Sequence, residues 1–214
     1  MKKIISIILT IAMILTFTLV FSSCGKEYYF VEMSVKDCGK MVILLDRGTA
    51  PITVDNFLNL VKSGFYDGLT FHRIIEGFMI QGGDPDGDGR GGSDKTIKGE
   101  FAENGVKNNI AHVEGVISMA RTNDPDSATS QFFICNADAR ESLDGKYAAF
   151  GWVVEGLEVV HKITDLGMPK TDYYEYYKTN PQIWHYYGNG AISNKADQPV
   201  IEYIKVLDNY EYNK

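Results

Sequence analysis

The chain has 214 residues, with 21 Lys or Arg against 28 Asp or Glu and a net charge of −7. That acidic balance argues against nucleic acid as a partner. Its three cysteines show no Cys-x-x-Cys pair and no zinc-ligand spacing, so no metal or cofactor is expected.

The predicted elements begin with a targeting segment over residues 1–23. Lys2 and Lys3 form a positive start, and Ile4 to Phe21 is almost wholly apolar. Ser22-Ser23-Cys24-Gly25 follows, small residues around a cysteine. This pattern resembles a bacterial lipoprotein processing site. It implies cleavage before Cys24, acylation of that cysteine with palmitate or similar chains, and a domain held outside the cytoplasmic membrane. The 18-residue apolar run is also near the length of a membrane span, which leaves an uncleaved anchor as the alternative. Cleavage leaves 191 residues and moves the charge from −7 to −9, since two lysines are lost. That length suits one domain with a substantial core.

Residues 24–39 read as a tether and first strand, and 40–214 as the main domain. Tyr28 to Val35 and Lys40 to Leu45 are predicted strands, with Asp37-Cys38-Gly39 as their turn. Pro51 opens a helix whose Val54, Phe57, Leu58 and Val61 form one apolar stripe, and Gly64 stops it. Gly68 to Gln81 reads as strand, and 82 to 99 as loop. Within that loop, Asp84-Pro85-Asp86-Gly87-Asp88-Gly89 begins like a calcium loop, but its twelfth position is Lys95, so it reads as surface. Short strands are predicted at Gly115 to Ala120, Gln131 to Cys135 and Phe150 to Val154. A second helix spans Leu157, Val160, Ile163 and Thr164 and ends by Gly167, and Val200 to Leu207 forms a last strand. Residues 168–198 hold six tyrosines and Trp184, too aromatic for a disordered linker. They read as an ordered insertion, a core extension or a partner contact. Cys38 and Cys135 pair only if the fold brings them together. His72, His112, His161 and His185 show no nucleophile-and-acid constellation, which argues against a hydrolase.

Two stretches carry the chemistry. Residues 71 to 83 read Phe-His-Arg-Ile-Ile-Glu-Gly-Phe-Met-Ile-Gln-Gly-Gly, and 130 to 134 read Ser-Gln-Phe-Phe-Ile. Together they resemble the two signatures of the cyclophilins, the barrel-shaped peptidyl-prolyl isomerases. The similarity runs from about Met41 to Gly167. It implies a mainly β fold, a closed eight-stranded antiparallel barrel capped by two α-helices. The substrate groove would lie on its outer surface, because the interior is filled with side chains.

The implied reaction is rotation about an X-Pro bond, slow because the C–N bond is partly double. A catalyst has to hold the twisted amide better than either planar form. An arginine suits this role: it stays charged and offers a rigid fork of donors toward the proline nitrogen. The resemblance therefore assigns Arg73 as that donor, with Gln81 and His72 in the catalytic group; a structural role for His72 is weighed beside it. Phe78, Met79, Phe133 and Leu143 would hold the proline ring. Ala120, Arg121, Gln131 and Tyr147 would line the rest of the groove. Partners would be proline-containing polypeptides emerging from the membrane, and the chain would be a monomer. Two positions depart from the best-known members. Ser142 replaces a tryptophan, which implies weak cyclosporin binding, and Tyr147 replaces a histidine. A groove so altered is also compatible with a non-catalytic binding module or chaperone.

Overall fold

A computed structural model of the chain describes residues 27–167, 190–192 and 194–212. The signal segment, Cys24 and most of the 168–198 insertion, including Trp184, lie outside the described residues. Eight strands form one antiparallel sheet: β1 (Tyr28–Val35), β2 (Gly39–Asp46), β3 (Thr70–Ile75), β4 (Met79–Asp84), β5 (Val116–Met119), β6 (Phe132–Cys135), β7 (Ala149–Glu155) and β8 (Ile201–Val206). Their order is β3-β4-β6-β5-β7-β2-β1-β8. The two edges curl toward each other. Thr70 forms a single bridge with Val200, and Phe71 N–H donates to the Pro199 carbonyl at 2.9 Å. The seam between β3 and β8 has no full strand ladder. The expected eight antiparallel strands are present, therefore, in a curled sheet with an incomplete seam.

Alternation divides β4 and β6 between two clusters. Val31, Met33, Ile43, Leu45, Ile80, Phe132, Ile134 and Phe150 point into one continuous interior cluster. Their neighbours Met79, Phe133 and Cys135 point outward and join Ala139 and Leu143 in a separate cluster. The second cluster forms the apolar floor of an external site.

Helix α1 (Pro51–Lys62) buries Thr53, Val54, Phe57, Leu58 and Val61, the predicted stripe and one more residue. Its N-terminus has no local side-chain cap. Instead Glu100, 48 residues away, accepts from Ile52 N–H at 3.1 Å, and from Thr53 N–H at 2.8 Å and its hydroxyl at 2.7 Å. A carboxylate at a helix start satisfies otherwise orphaned donors and complements the helix dipole. Glu100→Ala leaves the buried Thr53 donors unpaired and is expected to cost about 2–3 kcal/mol in urea unfolding. A loss within about 0.5 kcal/mol, the range of ordinary surface changes, would count against this distal cap.

A single turn, α2 (Arg140–Leu143), brings Leu143 into the outer cluster. Helix α3 (Leu157–Asp165) buries Val159, Val160 and Ile163. The long helices close opposite ends of the curl. Phe57 of α1 packs on Phe132 and Phe150, at the starts of β6 and β7. α3 instead follows the end of β7, and its Thr164 hydroxyl accepts from Asn136, just past the end of β6. Among the described residues no helix is long and apolar enough to cross a membrane.

Cys38 and Cys135 are both free and buried. Burial pushes the Cys135 thiol up to about 12, so it is a packing residue.

Candidate active site

The first signature folds differently from its predicted single strand. Residues 68–81 form a hairpin, β3 turning into β4 at Glu76-Gly77-Phe78. Phe78 N–H donates to the Ile75 carbonyl at 3.2 Å, and Gly77 takes a φ of +70°, which glycine adopts without strain. The hairpin sets Arg73 directly opposite Gln81 and Ile75 opposite Met79. Gln81 in turn pairs with Phe133 of β6, and Met79 with Cys135. The two signatures are thus adjacent strands of one sheet.

A cleft of about 250 Å³ opens on this outer face. Arg73, Phe78, Met79, Gln81, Ala120, Arg121, Phe133, Leu143 and Tyr147 line it. Nine of the eleven groove residues expected from the sequence therefore share one wall. Arg73 Nη1 donates to Gln81 Oε1 at 3.0 Å, Gln81 Nε2 to Gln131 Oε1 at 2.8 Å, and Gln131 Nε2 to the Gly91 carbonyl at 2.8 Å. This relay ties the guanidinium to three neighbouring segments and fixes its direction. Gln81 therefore orients Arg73. Phe133 packs edge-on to Tyr147, with ring centres 5.8 Å apart.

Arg121 is held as firmly as Arg73. Its guanidinium lies over Tyr147 at 4.6 Å and Phe101 at 4.9 Å, and Nη2 donates to the Lys146 carbonyl at 2.8 Å. A planar cation stacked on aromatic faces makes a rigid rim.

The remaining two residues sit elsewhere. Gln131 lines an adjoining cavity of about 300 Å³, which shares Gln81, Ala120 and Arg121 with the cleft. Gly89 to Ser93, within the expected loop, also line that cavity. Its signal was Gly91-Gly92, where any side chain would strike Asp84 or Thr129. His72 does not line the cleft. As the neighbour of Arg73 in β3 it falls on the opposite side of the strand, and it is 4 % exposed, near Gly89.

The acidic start of this loop caps itself. Asp84 accepts backbone N–H bonds from Asp86, Asp88 and Gly89 at 2.6–3.1 Å. Burial raises its pKa, but these bonds outweigh that effect and hold it below the ordinary carboxylate value.

The fold does assemble an acid, a histidine and a hydroxyl that the sequence left scattered. His112 Nδ1 lies 2.9 Å from Asp144 Oδ1, and Nε2 lies 3.0 Å from Ser118 Oγ. Ser118 is 0 % exposed within β5, so no substrate reaches its hydroxyl. The trio serves packing: the imidazole stacks behind Phe133 and ties the Leu143–Lys146 turn to β5.

Burial holds His112 and His72 below the ordinary imidazole value. Asp144 opposes this for His112, and Asp84 for His72. Each is neutral when folded, while the unfolded chain binds a proton near pH 6.5. Their contribution to stability is therefore present above about pH 6.5 and lost as pH falls toward the folded values. The melting temperature is expected to fall by several degrees between pH 7 and pH 5.5, at about 2–4 °C per kcal/mol. A melting temperature that stays flat over this interval would refute the assignment.

Fold and site together are those of an isomerase, with a fixed cation held beside a cleft that has an apolar floor. Comparison with known proteins gives the family. Residues 30–185 match the model of the cyclophilin-type peptidyl-prolyl cis-trans isomerases, and the chain belongs to that family. It is 37 % identical over 187 residues to peptidyl-prolyl cis-trans isomerase A of Dickeya dadantii, covering 85 % of this chain and 94 % of that one. A peptidyl-prolyl cis-trans isomerase of Acinetobacter baylyi is 42 % identical over 144 residues, 64 % of this chain and 72 % of that one. Among solved structures, a Cryptosporidium parvum cyclophilin-type isomerase, crystallised in the presence of the dipeptide Ala-Pro, superposes with a TM-score of 0.66 at 26 % identity. That match covers 84 % of this chain and 99 % of that one.

Proposed function

We propose that this isomerase works at the outer surface of a membrane, on proline-containing chains that fold there. Arg73 donates to the proline nitrogen as the X-Pro bond twists and that nitrogen regains a lone pair. The donor is in place before the substrate arrives, which is where preorganised electrostatics gain their effect. Phe78, Met79, Phe133 and Leu143 hold the proline ring, and Tyr147 closes one side. Gln81 keeps the guanidinium aimed. The backbone at Ala120 and Arg121 holds the substrate chain. His72 supports β3 from behind. The observation that carries this reading is Arg73 fixed by Gln81 at the edge of a cleft floored by Phe78, Met79, Phe133 and Leu143.

The N-terminus supports the location: two lysines, the apolar run and Ser-Ser-Cys24 fit a lipid-anchored domain outside the cytoplasmic membrane. There, slow X-Pro isomerisation limits the folding of newly exported chains.

Both halves are testable with the full chain. Cis-to-trans conversion of short X-Pro peptides should run clearly faster than the uncatalysed rate. A folded protein inert over a panel of residues before proline would be a binding module instead. Mass spectrometry of the N-terminus should find acylated Cys24 as first residue. An intact Met1 to Ser23 segment would show the uncleaved anchor.

A further inference from the structure

The outer faces of β1, β2 and β7 carry a row of apolar side chains that the groove does not use. Trp152 pairs with Leu44, and Leu44 with Phe30, directly across the three strands. Tyr28 and Val154 continue the same faces by alternation, and Tyr212 stands 6.2 Å from Phe30, ring centre to ring centre. These six residues line an open hollow of about 570 Å³ with no charged side chain. Tyr28 is 51 % exposed and Tyr212 37 %. An apolar surface rimmed by Tyr and Trp suits the interfacial layer of a bilayer, where one end of each ring is apolar and the other wet.

Chain length supplies the occupant. Tyr28 is four residues beyond Cys24, so an extended link spans at most about 14 Å. An acyl group on Cys24, or an uncleaved Ile4–Phe21 segment, would hold this hollow against the lipid headgroups. We infer that the Tyr28–Phe30–Leu44–Trp152–Tyr212 face docks on the membrane surface and sets the orientation of the domain. The inference rests on the membrane attachment proposed above. Its consequence is functional: the groove belongs to β3, β4 and β6, whose middle strand β4 lies four places from β2, the middle strand of this face, in the sheet order. Docking this face turns the groove away from the membrane surface.

The test uses the full chain in proteoliposomes, with Trp184→Phe leaving Trp152 as the single tryptophan. Vesicles of phosphatidylcholine, with or without bromine on the upper acyl chain, report contact by quenching. Trp152 emission is expected to fall at least twofold in brominated vesicles and to do so equally in high salt, since the contact is apolar. A Tyr28→Ser, Tyr212→Ser double variant should lose most of the quenching while keeping its full rate on a soluble X-Pro peptide. Equal emission in both vesicles would overturn the inference, whether the face is bare, covered by a second copy or covered by the chain's own apolar segment. N-terminal mass measured on the same sample separates the two readings. Quenching without acylated Cys24 leaves the docking face standing and removes the lipid anchor; acylated Cys24 without quenching does the reverse.

Discussion

Arg73→Ala is expected to lower kcat/KM for X-Pro isomerisation by about 10²–10³, the usual cost of one preorganised donor. The loss should fall mainly on kcat, since the proline slot of Phe78, Met79, Phe133 and Leu143 stays intact. Arg73→Lys retains the charge but not the planar fork that meets both Gln81 and the substrate nitrogen. It should recover only a small part of the rate. Circular dichroism must show the native fold in both variants, because Arg73 is only half-buried and its loss opens no core cavity. An alanine variant with the full rate would remove the guanidinium from the mechanism and leave the cleft as a binding site.

The second large effect is on stability. Phe57 of α1 is 0 % exposed, and its ring centre lies 5.1 Å from Tyr66, 5.7 Å from Phe132 and 5.3 Å from Phe150. These four rings fill the end of the curled sheet below α1. Phe57→Ala removes the central ring from a packing that cannot fully collapse, and is expected to cost about 3–5 kcal/mol. A fall of roughly 10 °C in melting temperature follows at this chain length. Below the melting transition the variant should retain its isomerase rate, because none of the four rings lines the cleft. A loss under about 1 kcal/mol would mean that the cluster is less tightly packed than its geometry indicates.

The two effects separate because strand alternation puts Phe132 inside and Phe133 outside. Stability sits in one cluster and chemistry in the other. The incomplete β3–β8 seam has a place in the same scheme. β3 carries Arg73 on a sheet edge, and Ala191, within the 168–198 insertion, bridges it there.

Much of this was legible in the residues. The α1 stripe, the alternation of β1 and β2, and the two signatures are local patterns. Period and residue type specify them without knowledge of distant contacts. The cleft lining was legible for a related reason: its residues lie on two short signatures plus the Ala120-Arg121 and Leu143–Tyr147 segments. What sequence misassigned was decided by partners far along the chain. The predicted strand through Glu76 became a turn, because pairing with β6 requires β4 to run back beside β3. His72 lies off the cleft face because it adjoins Arg73, and successive side chains of a strand point to opposite sides. The start of α1 had no visible cap because Glu100 supplies it from 48 residues away. His112, Asp144 and Ser118 met only through the pairing of β5 with β6 and β7 and the turn after α2. Sequence alone therefore determined the family and most of the cleft lining, since each rests on short-range pattern. Register, distal capping and the direction of buried polar groups came only from tertiary structure, because those depend on which strands meet, and that is set by the collapse of the whole core.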